Sequence, residues 1–248
     1  MTFAIVIPAR LKSKRLPMKP LIKLNGVPMI LLTYKNCLKV ANKKNIFVAT
    51  DSSEINKLCK RNDINCVMTS KKCLTGTDRV AEFAKKIKRD FYINVQGDEP
   101  LMPSSDIKKI INAGKKNKNL IINGYTEIKN KKDFFSQHIP KLVFDKNNYL
   151  MYISRGPIPF NKEKLFKSGY RQVCVYSFPR DKLIMFSKLS KKSFFEKVED
   201  IEILRFLEMG EKVKMLGLSD KSISVDTRHD LKRVSKLELV GGDFYLIG

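Results

Sequence analysis

The sequence holds neither a G-x-x-x-x-G-K-[ST] loop nor a G-x-G-x-x-G turn, which excludes a P-loop and a Rossmann dinucleotide site. Its five cysteines, Cys37, Cys59, Cys66, Cys73 and Cys174, are odd in number and form no C-x-x-C pair. Cys59, Cys66 and Cys73 recur every seven residues, but no histidine lies among them, so reduced thiols are expected and not a zinc cage or disulfide framework. The two histidines, His138 and His229, stand far apart, with no acid or nucleophile at a telling spacing. No apolar run approaches the ~18 residues of a membrane-spanning helix. The first residues have neither the basic start nor the long apolar core of a signal peptide. Repeats, linkers and low-complexity stretches are also missing. The expectation is a cytoplasmic protein without membrane insertion, folded as one domain over residues 1–248.

Cations are abundant. The chain carries 49 Lys+Arg against 25 Asp+Glu, a net charge of +24, beside an ordinary 43% of hydrophobic residues. Such an excess favours polyanions: nucleic acid, anionic membrane or phosphorylated metabolites. The basic residues are nevertheless spread along the whole chain, on the polar sides of amphipathic segments. The aromatics follow core periodicity and do not interleave with basic residues on one surface, as a nucleic-acid platform would need.

Short apolar strands alternate with helical periodicity. Strands are expected at Phe3–Ile7, Ile46–Thr50, Cys66–Met68, Phe91–Val95 and 120–125, with helices at 29–40, at 53–61 behind the Asp51-Ser52-Ser53 cap, at 77–88 and at 104–113. That rhythm predicts a mainly parallel twisted sheet with helices on both faces. It then changes: a hairpin is expected from 142–144 and 149–153 around a polar turn, and a strand at 172–178. Helices follow at 180–189 and 198–209, strands at 213–216 and 222–225, and a last helix at 227–239. An antiparallel layer is therefore inserted at about 125–195.

In open α/β sheets, ligands bind outside the carboxyl ends of strands, and three stretches fall there. After the first strand, "IPARLKSKRLPMKP" places Arg10, Lys12, Lys14, Arg15 and Lys19 in a loop stiffened by Pro8, Pro17 and Pro20. Arg forks and Lys point charges at a strand end suit a triphosphate; a solvated basic loop is the plainer alternative. "NVQGDEP", Asn94–Pro100, ends a strand in Gly97 and adjacent acids. Mg²⁺ takes one or two carboxylates together with waters and phosphate oxygens, and Asp98 is the better ligand because Glu99 precedes proline; an acidic turn would look the same. "SVDTRHDL" has Asp226 at an expected strand end, where helix capping by Thr227 and Asp230 competes with a metal role. "CLTGTDR" reads as a turn opening a helix, able to set backbone N–H groups near a nucleotide.

Together these stretches resemble the sugar-activating cytidylyltransferases, and within them the 3-deoxy-manno-octulosonate cytidylyltransferase (CMP-Kdo synthetase) family. The resemblance runs over nearly the whole chain. It rests on the motifs within Ile7–Leu21, "VATD" (Val48–Asp51), "TGTDR" (Thr75–Arg79), "NVQGDEP", "SRGPIP" (Ser154–Pro159), Glu199–Lys212 and Val225–Leu231. The CMP-sialic acid branch usually has a lysine-asparagine pair where this chain has Lys19-Pro20.

The resemblance implies a GT-A-like nucleotidyltransferase fold, a homodimer formed through the inserted layer, CTP as substrate and Mg²⁺ as cofactor. Arg10 and Lys19 then neutralise the triphosphate with help from Arg15, while Ala9, Thr75 and Gln96 line the cytidine pocket. Asp98 and Asp226 hold the metal. Arg155, Gln172, Tyr176, Glu196 and Glu199 fall at or near positions that contact the acid sugar. The implied reaction transfers CMP to the anomeric hydroxyl of 3-deoxy-D-manno-octulosonate (Kdo), for lipopolysaccharide assembly. The departures cluster around the sugar: Gln172 stands where the family usually has His, Cys174 and Ser177 replace glycines, and Lys197 follows Glu196 where Gln or His is more familiar. A related acid sugar, an 8-amino-octulosonate or a nonulosonic acid, is the alternative substrate; a nucleic-acid-binding protein is the remote one.

Overall fold

The opening strand, β1 (Phe3–Ala9), is buried on both faces. Ala4 and Val6 enter one apolar layer and Ile5 and Ile7 the other, so its sequence is a continuous apolar run without alternation. The computed structural model describes residues 1–12, 16–222, 224–225, 228–235, 237–240 and 243–246. After β1 come a short hairpin, β2 (Lys23–Leu24) and β3 (Val27–Pro28), and then α1 (Met29–Leu38). Asn25 and Gly26 at its turn both have positive φ, 47° and 80°; that two-residue geometry matches strand twist, and Asn-Gly is the pair that adopts it readily.

Four further strands and three helices complete the first half: β4 (Ile46–Thr50), α2 (Ser53–Arg61), β5 (Cys66–Met68), α3 (Gly76–Lys86), β6 (Phe91–Val95), α4 (Ser104–Lys116) and β7 (Ile121–Glu127). α2 and α3 start where side chains satisfy the first backbone donors, whereas α1 and α4 start directly after a proline. The Ser52 hydroxyl accepts from the N–H groups of Glu54 and Ile55 at α2, and Thr75 with Asp78 makes a reciprocal capping box at α3. α5 (Lys131–Phe135), β8 (Lys141–Phe144), β9 (Leu150–Ser154) and β10 (Tyr170–Pro179) follow, then α6 (Arg180–Phe186), α7 (Phe194–Glu199), α8 (Ile203–Glu208), β11 (Val213–Gly217), α9 (Arg228–Ser235), β12 (Leu237–Val240) and β13 (Asp243–Leu246).

Among the described residues, the main sheet runs β11-β7-β10-β6-β1-β4-β5, with β8 and β9 attached beside β10. The pairs β1/β4, β1/β6, β4/β5 and β7/β11 are parallel. β10 is antiparallel to its neighbours and changes partner along its length. Its last half, Val175–Pro179, pairs with β6, whereas Tyr170 and Arg171 pair with β8. Between those pairings β10 opens toward the cleft described below.

Several expectations need correction. The first strand does not break at Pro8 but continues to Ala9. Pairing with β6 ends at Val6, so at Pro8 the strand is paired on one side only, where a missing N–H is tolerated. The expected helix over 198–209 is two, α7 and α8, separated by Asp200 in the left-handed region at φ 52°. The last helix stops at Ser235, and 237–246 contributes the antiparallel pair β12 and β13. Ser222, Ser224 and Val225 form no strand.

Candidate active site

A cleft of about 650 Å³ opens outside the carboxyl ends of β1 and β6. β1 delivers Pro8, Ala9 and Arg10 to it, and the chain leaving β6 delivers Gln96, Gly97, Asp98 and Glu99. The two strand ends press together: a Cβ on Gly97 would lie 2.9 Å from the Pro8 carbonyl oxygen. Glycine is required there because the obstacle is backbone. Glu99 is buried and accepts from the Ser222 hydroxyl, another residue of the cleft lining.

Lys19 reaches the same place by another route. Met18 takes a left-handed conformation at φ 55°, and Lys19–Leu21 then forms one 3₁₀ turn with Pro20 in its first positions. The turn buries Lys19 and sets its Nζ 2.6 Å from Asp98 Oδ2, while the Asp98 side chain stays about one-third exposed (34%). A buried ammonium beside a half-exposed carboxylate leaves both charges at the mouth of β6. Arg10 sits on the wall, its guanidinium 3.5 Å from the Leu74 carbonyl oxygen. The Val225 N–H donates to the Asp98 carbonyl at 3.1 Å, docking the chain that precedes Asp226 onto this loop. Arg15, Lys14 and Asp226 themselves lie outside the described residues.

The start of α3 forms the next wall, with Thr75, Gly76 and Arg79. Its backbone donors are taken by a side chain of the protein: Glu202 accepts from the Gly76 N–H at 3.0 Å, the Thr77 N–H at 2.8 Å and the Thr77 hydroxyl at 2.5 Å. Burial raises the Glu202 pKa above the usual carboxylate value, while those donors pull it back. Arg79 is buried and pairs with Asp51 at 3.3 Å, which joins the ends of "VATD" and "TGTDR".

The opposite wall comes from β10 and the segments around β8 and β9: Gln172, Cys174 and Tyr176, then His138, Ile139, Pro140 and Arg155. Gln172 is buried and its amide nitrogen donates to Asn123 Oδ1 at 2.8 Å. Asn123 in turn donates to the carbonyls of Val173 and Val175, across the register shift in β10. Burial raises the Tyr176 hydroxyl well above its ordinary pKa, assisted by nearby Cys174, Glu202 and Glu99. Arg155 donates from Nε to the Glu199 carbonyl at 2.6 Å, from Nη1 to Gln137 at 3.1 Å and from Nη2 to Asp200 at 3.1 Å. These acceptors are neutral, so the guanidinium keeps its positive field at the cleft wall.

Glu196 and Glu199, expected at or near the acid sugar, are both engaged by other groups of the protein. Glu196 is fully buried, and its two oxygens take the Nε and Nη2 protons of Arg205 at 2.5 and 2.6 Å. Arg205 also reaches Asp78 at 2.7 Å and lies 3.8 Å over the Phe186 ring. Glu199 accepts from the Ser154 hydroxyl at 2.7 Å and the Arg155 N–H at 2.8 Å. Neither carboxylate forms the cleft wall. With Glu202, they are three acids spaced three residues apart, each fastening a different piece of the cleft, Glu202 from the wall itself and the other two from behind it. The sequence reading missed this role, along with Asn123, Lys141 and Arg205. A carboxylate or lysine destined for a buried partner looks the same in sequence as one destined for substrate.

Among the described residues, no group of three or more His, Cys, Asp or Glu gathers into a metal cage, and no helix is long and apolar enough to cross a membrane.

Comparison with known proteins agrees with this geometry. The family model for cytidylyltransferases matches residues 4–213. The 3-deoxy-manno-octulosonate cytidylyltransferase of Thermodesulfovibrio yellowstonii is 37% identical over 246 residues, covering 93% of this chain and 96% of the relative. That of Fusobacterium nucleatum is 36% identical over 236 residues, covering 94% and 96%. The solved structure of a CMP:2-keto-3-deoxy-manno-octonic acid synthetase complexed with CTP superposes with a TM-score of 0.87 at 30% identity, covering 95% of this chain and 97% of that one. Matches of this extent place the chain in the 3-deoxy-manno-octulosonate cytidylyltransferase family.

Proposed function

We propose that this protein transfers CMP from CTP to the anomeric hydroxyl of Kdo, releasing pyrophosphate. The observation that carries the reading is the meeting of Lys19 and Asp98, 2.6 Å apart, at the strand ends of a cleft whose far wall holds the Arg155 guanidinium. Arg10 and Lys19 are the cations for the triphosphate, with Arg15 from the same loop. They stabilise charge as it gathers on the departing pyrophosphate, where a fixed cation in a walled cleft acts most strongly. Ala9, Thr75 and Gln96 border the base and ribose. Arg155 takes the sugar carboxylate, because a planar guanidinium can bind one through two parallel bonds. Gln172 and Tyr176 flank it. The sugar hydroxyl is the nucleophile, attacking the α-phosphorus in line, so no side chain forms a covalent intermediate.

Mg²⁺ fits the donors present. Asp98 offers a partly exposed hard oxygen at the strand end, and the bond from the Val225 N–H to its carbonyl draws the chain before Asp226 to the same loop. One or two carboxylates completed by phosphate oxygens and waters are what this ion takes. When bound, it neutralises triphosphate charge and activates the α-phosphate toward attack.

The product is a CMP-sugar for lipopolysaccharide assembly, made in the cytoplasm where CTP is available. The inserted layer supplies a homodimer surface: Phe194, Val198 and Met151 are exposed by 72%, 67% and 64%, with Phe195 and Tyr152 in edge contact beside them. Pyrophosphate release from CTP with Kdo, 8-amino-Kdo and nonulosonic acids tests the assignment. Kdo is expected to give the highest kcat/KM, and higher values for either alternative would reassign the substrate.

A further inference from the structure

Lys141 opens β8 and its side chain is fully buried. Its Nζ donates to the carbonyl oxygens of Ser136 at 2.8 Å, Ile139 at 2.7 Å and Arg155. An ammonium has three donors and no acceptor, so these three carbonyls use its whole capacity. None of them is a carboxylate. A buried cation satisfied by neutral groups alone is costly compared with an apolar side chain of the same length. The cost is borne where the charge ties together two segments that both reach the cleft. One is the loop before β8, which puts His138, Ile139 and Pro140 on the wall; the other is the end of β9, which leads into Arg155. The loop also contains Gln137, whose carbonyl accepts from Arg155 Nη1. Lys141 therefore holds both the backbone of Arg155 and the segment that aims its guanidinium.

We propose that Lys141 is a positioning residue for the acid-sugar end of the cleft, its ammonium clamping the Ser136–Pro140 loop to the Arg155 carbonyl. The inference rests on the functional reading above, in which Arg155 takes the sugar carboxylate. Lys141 touches no substrate and acts through Arg155.

The clamp depends on charge. Burial, reinforced by the positive charge of Arg155, pushes the Lys141 pKa down to about 8, against a smaller opposing pull from Glu199. The charged and titratable groups around it are Arg155 and Glu199 on one side, Tyr170 and Arg171 on the paired strand β10, and His138 on the clamped loop. Once deprotonated, the amine donates only two hydrogen bonds and turns its lone pair toward the third carbonyl. One of the three ties is then lost just above neutral pH.

The test measures KM for Kdo and for CTP separately between pH 7 and 9, with kcat, in the native chain and in Lys141→Met and Lys141→Arg. In the native chain the sugar KM should rise about fivefold with a midpoint near pH 8, as for a lost hydrogen bond, while the CTP KM stays level. Lys141→Met should show a raised sugar KM already at pH 7 and a flat profile. Lys141→Arg, which keeps its charge over this range, should hold the low KM to higher pH. If Lys141→Met fails to fold, the native profile still decides. A sugar KM that is flat with pH, or that rises in step with the CTP KM, overturns the proposal while leaving the enzyme's assignment intact. Absence of turnover with every acid sugar overturns the functional reading and this inference with it.

Discussion

Asp98 and Gln172 separate what a residue does for the fold from what it does for the reaction. Asp98 is partly exposed, and Asp98→Asn keeps a side-chain oxygen that can accept from the buried Lys19 ammonium, so the Lys19 donor is not left unsatisfied. Asp98→Asn should therefore melt within a few degrees of the native chain, yet lose nearly all turnover, since in the proposed reaction its charge holds the Mg²⁺ that accompanies CTP. Parallel thermal melts and pyrophosphate assays at limiting Mg²⁺ check this, and near-normal activity would remove Asp98 from the metal site. Gln172 gives the opposite kind of test. Its amide is tied to Asn123 and cannot gain charge. Gln172→His introduces a group with a reference pKa of about 6.5, so the sugar kcat/KM should become pH-dependent between about pH 6 and 7. An unchanged profile would show that this side chain does not face the substrate.

At the scale of elements, α7, α8 and the turn between them act as one bracket. Asp200 breaks the helix, so Glu196 and Glu199 stay on α7 while Glu202 is carried to the N-terminus of α3. Arg205 on α8 closes the bracket by reaching Glu196 and Asp78 together. Arg205→Ala should destabilise the chain by about 3–5 kcal/mol, because it strands a fully buried Glu196 without its partner. Glu202→Gln removes charge but retains one acceptor, so it should cost less stability and act mainly on the CTP KM, through the loosened start of α3. Denaturant melts paired with the two KM values distinguish these outcomes; equal losses of stability with unchanged KM values would mean that Arg205 and Glu202 both serve packing alone. The helices and strands of the first half were legible from sequence, since β4, β5 and β6 match their apolar runs to the residue. The break at Asp200 was not, because the apolar pattern on either side continues without a glycine or proline to mark it.

For the whole molecule, the charge of +24 and the apolar face of the inserted layer make separate demands. The cations lie largely on solvated faces, whereas Phe194 and Val198, one turn apart on α7, are exposed apolar side chains, with the Phe195–Tyr152 ring contact beside Phe194. A patch of this kind is a common mark of association. Val198→Lys should shift a dimer toward monomer without altering the melting of the isolated chain. Sedimentation velocity over a concentration series checks it, and a native chain that is already monomeric would rule the surface out as a dimer contact.

The sequence by itself determined the sheet's first half and the identity of the groups that converge on the cleft. Apolar runs fully buried between two layers have one way to be satisfied, and each ends in residues that the sheet must present at its carboxyl edge. Arg10 and Asp98 follow from that rule, and Lys19 from the stiffened loop after the first strand, whereas Ala9 and Gln96 entered only through the family resemblance. Only the tertiary structure decided which of the remaining polar residues face outward to a ligand and which are used inside. Glu196 and Glu202 are equally acidic in sequence, yet one is sealed against Arg205 and the other sits on the cleft wall capping α3. Lys141 is one cation among 49, and its ring of three carbonyls exists only once β8, β9 and the loop between α5 and β8 have closed around it. The physical reason is that apolar burial repeats along a chain, whereas the partner of a buried charge comes from wherever the fold brings it.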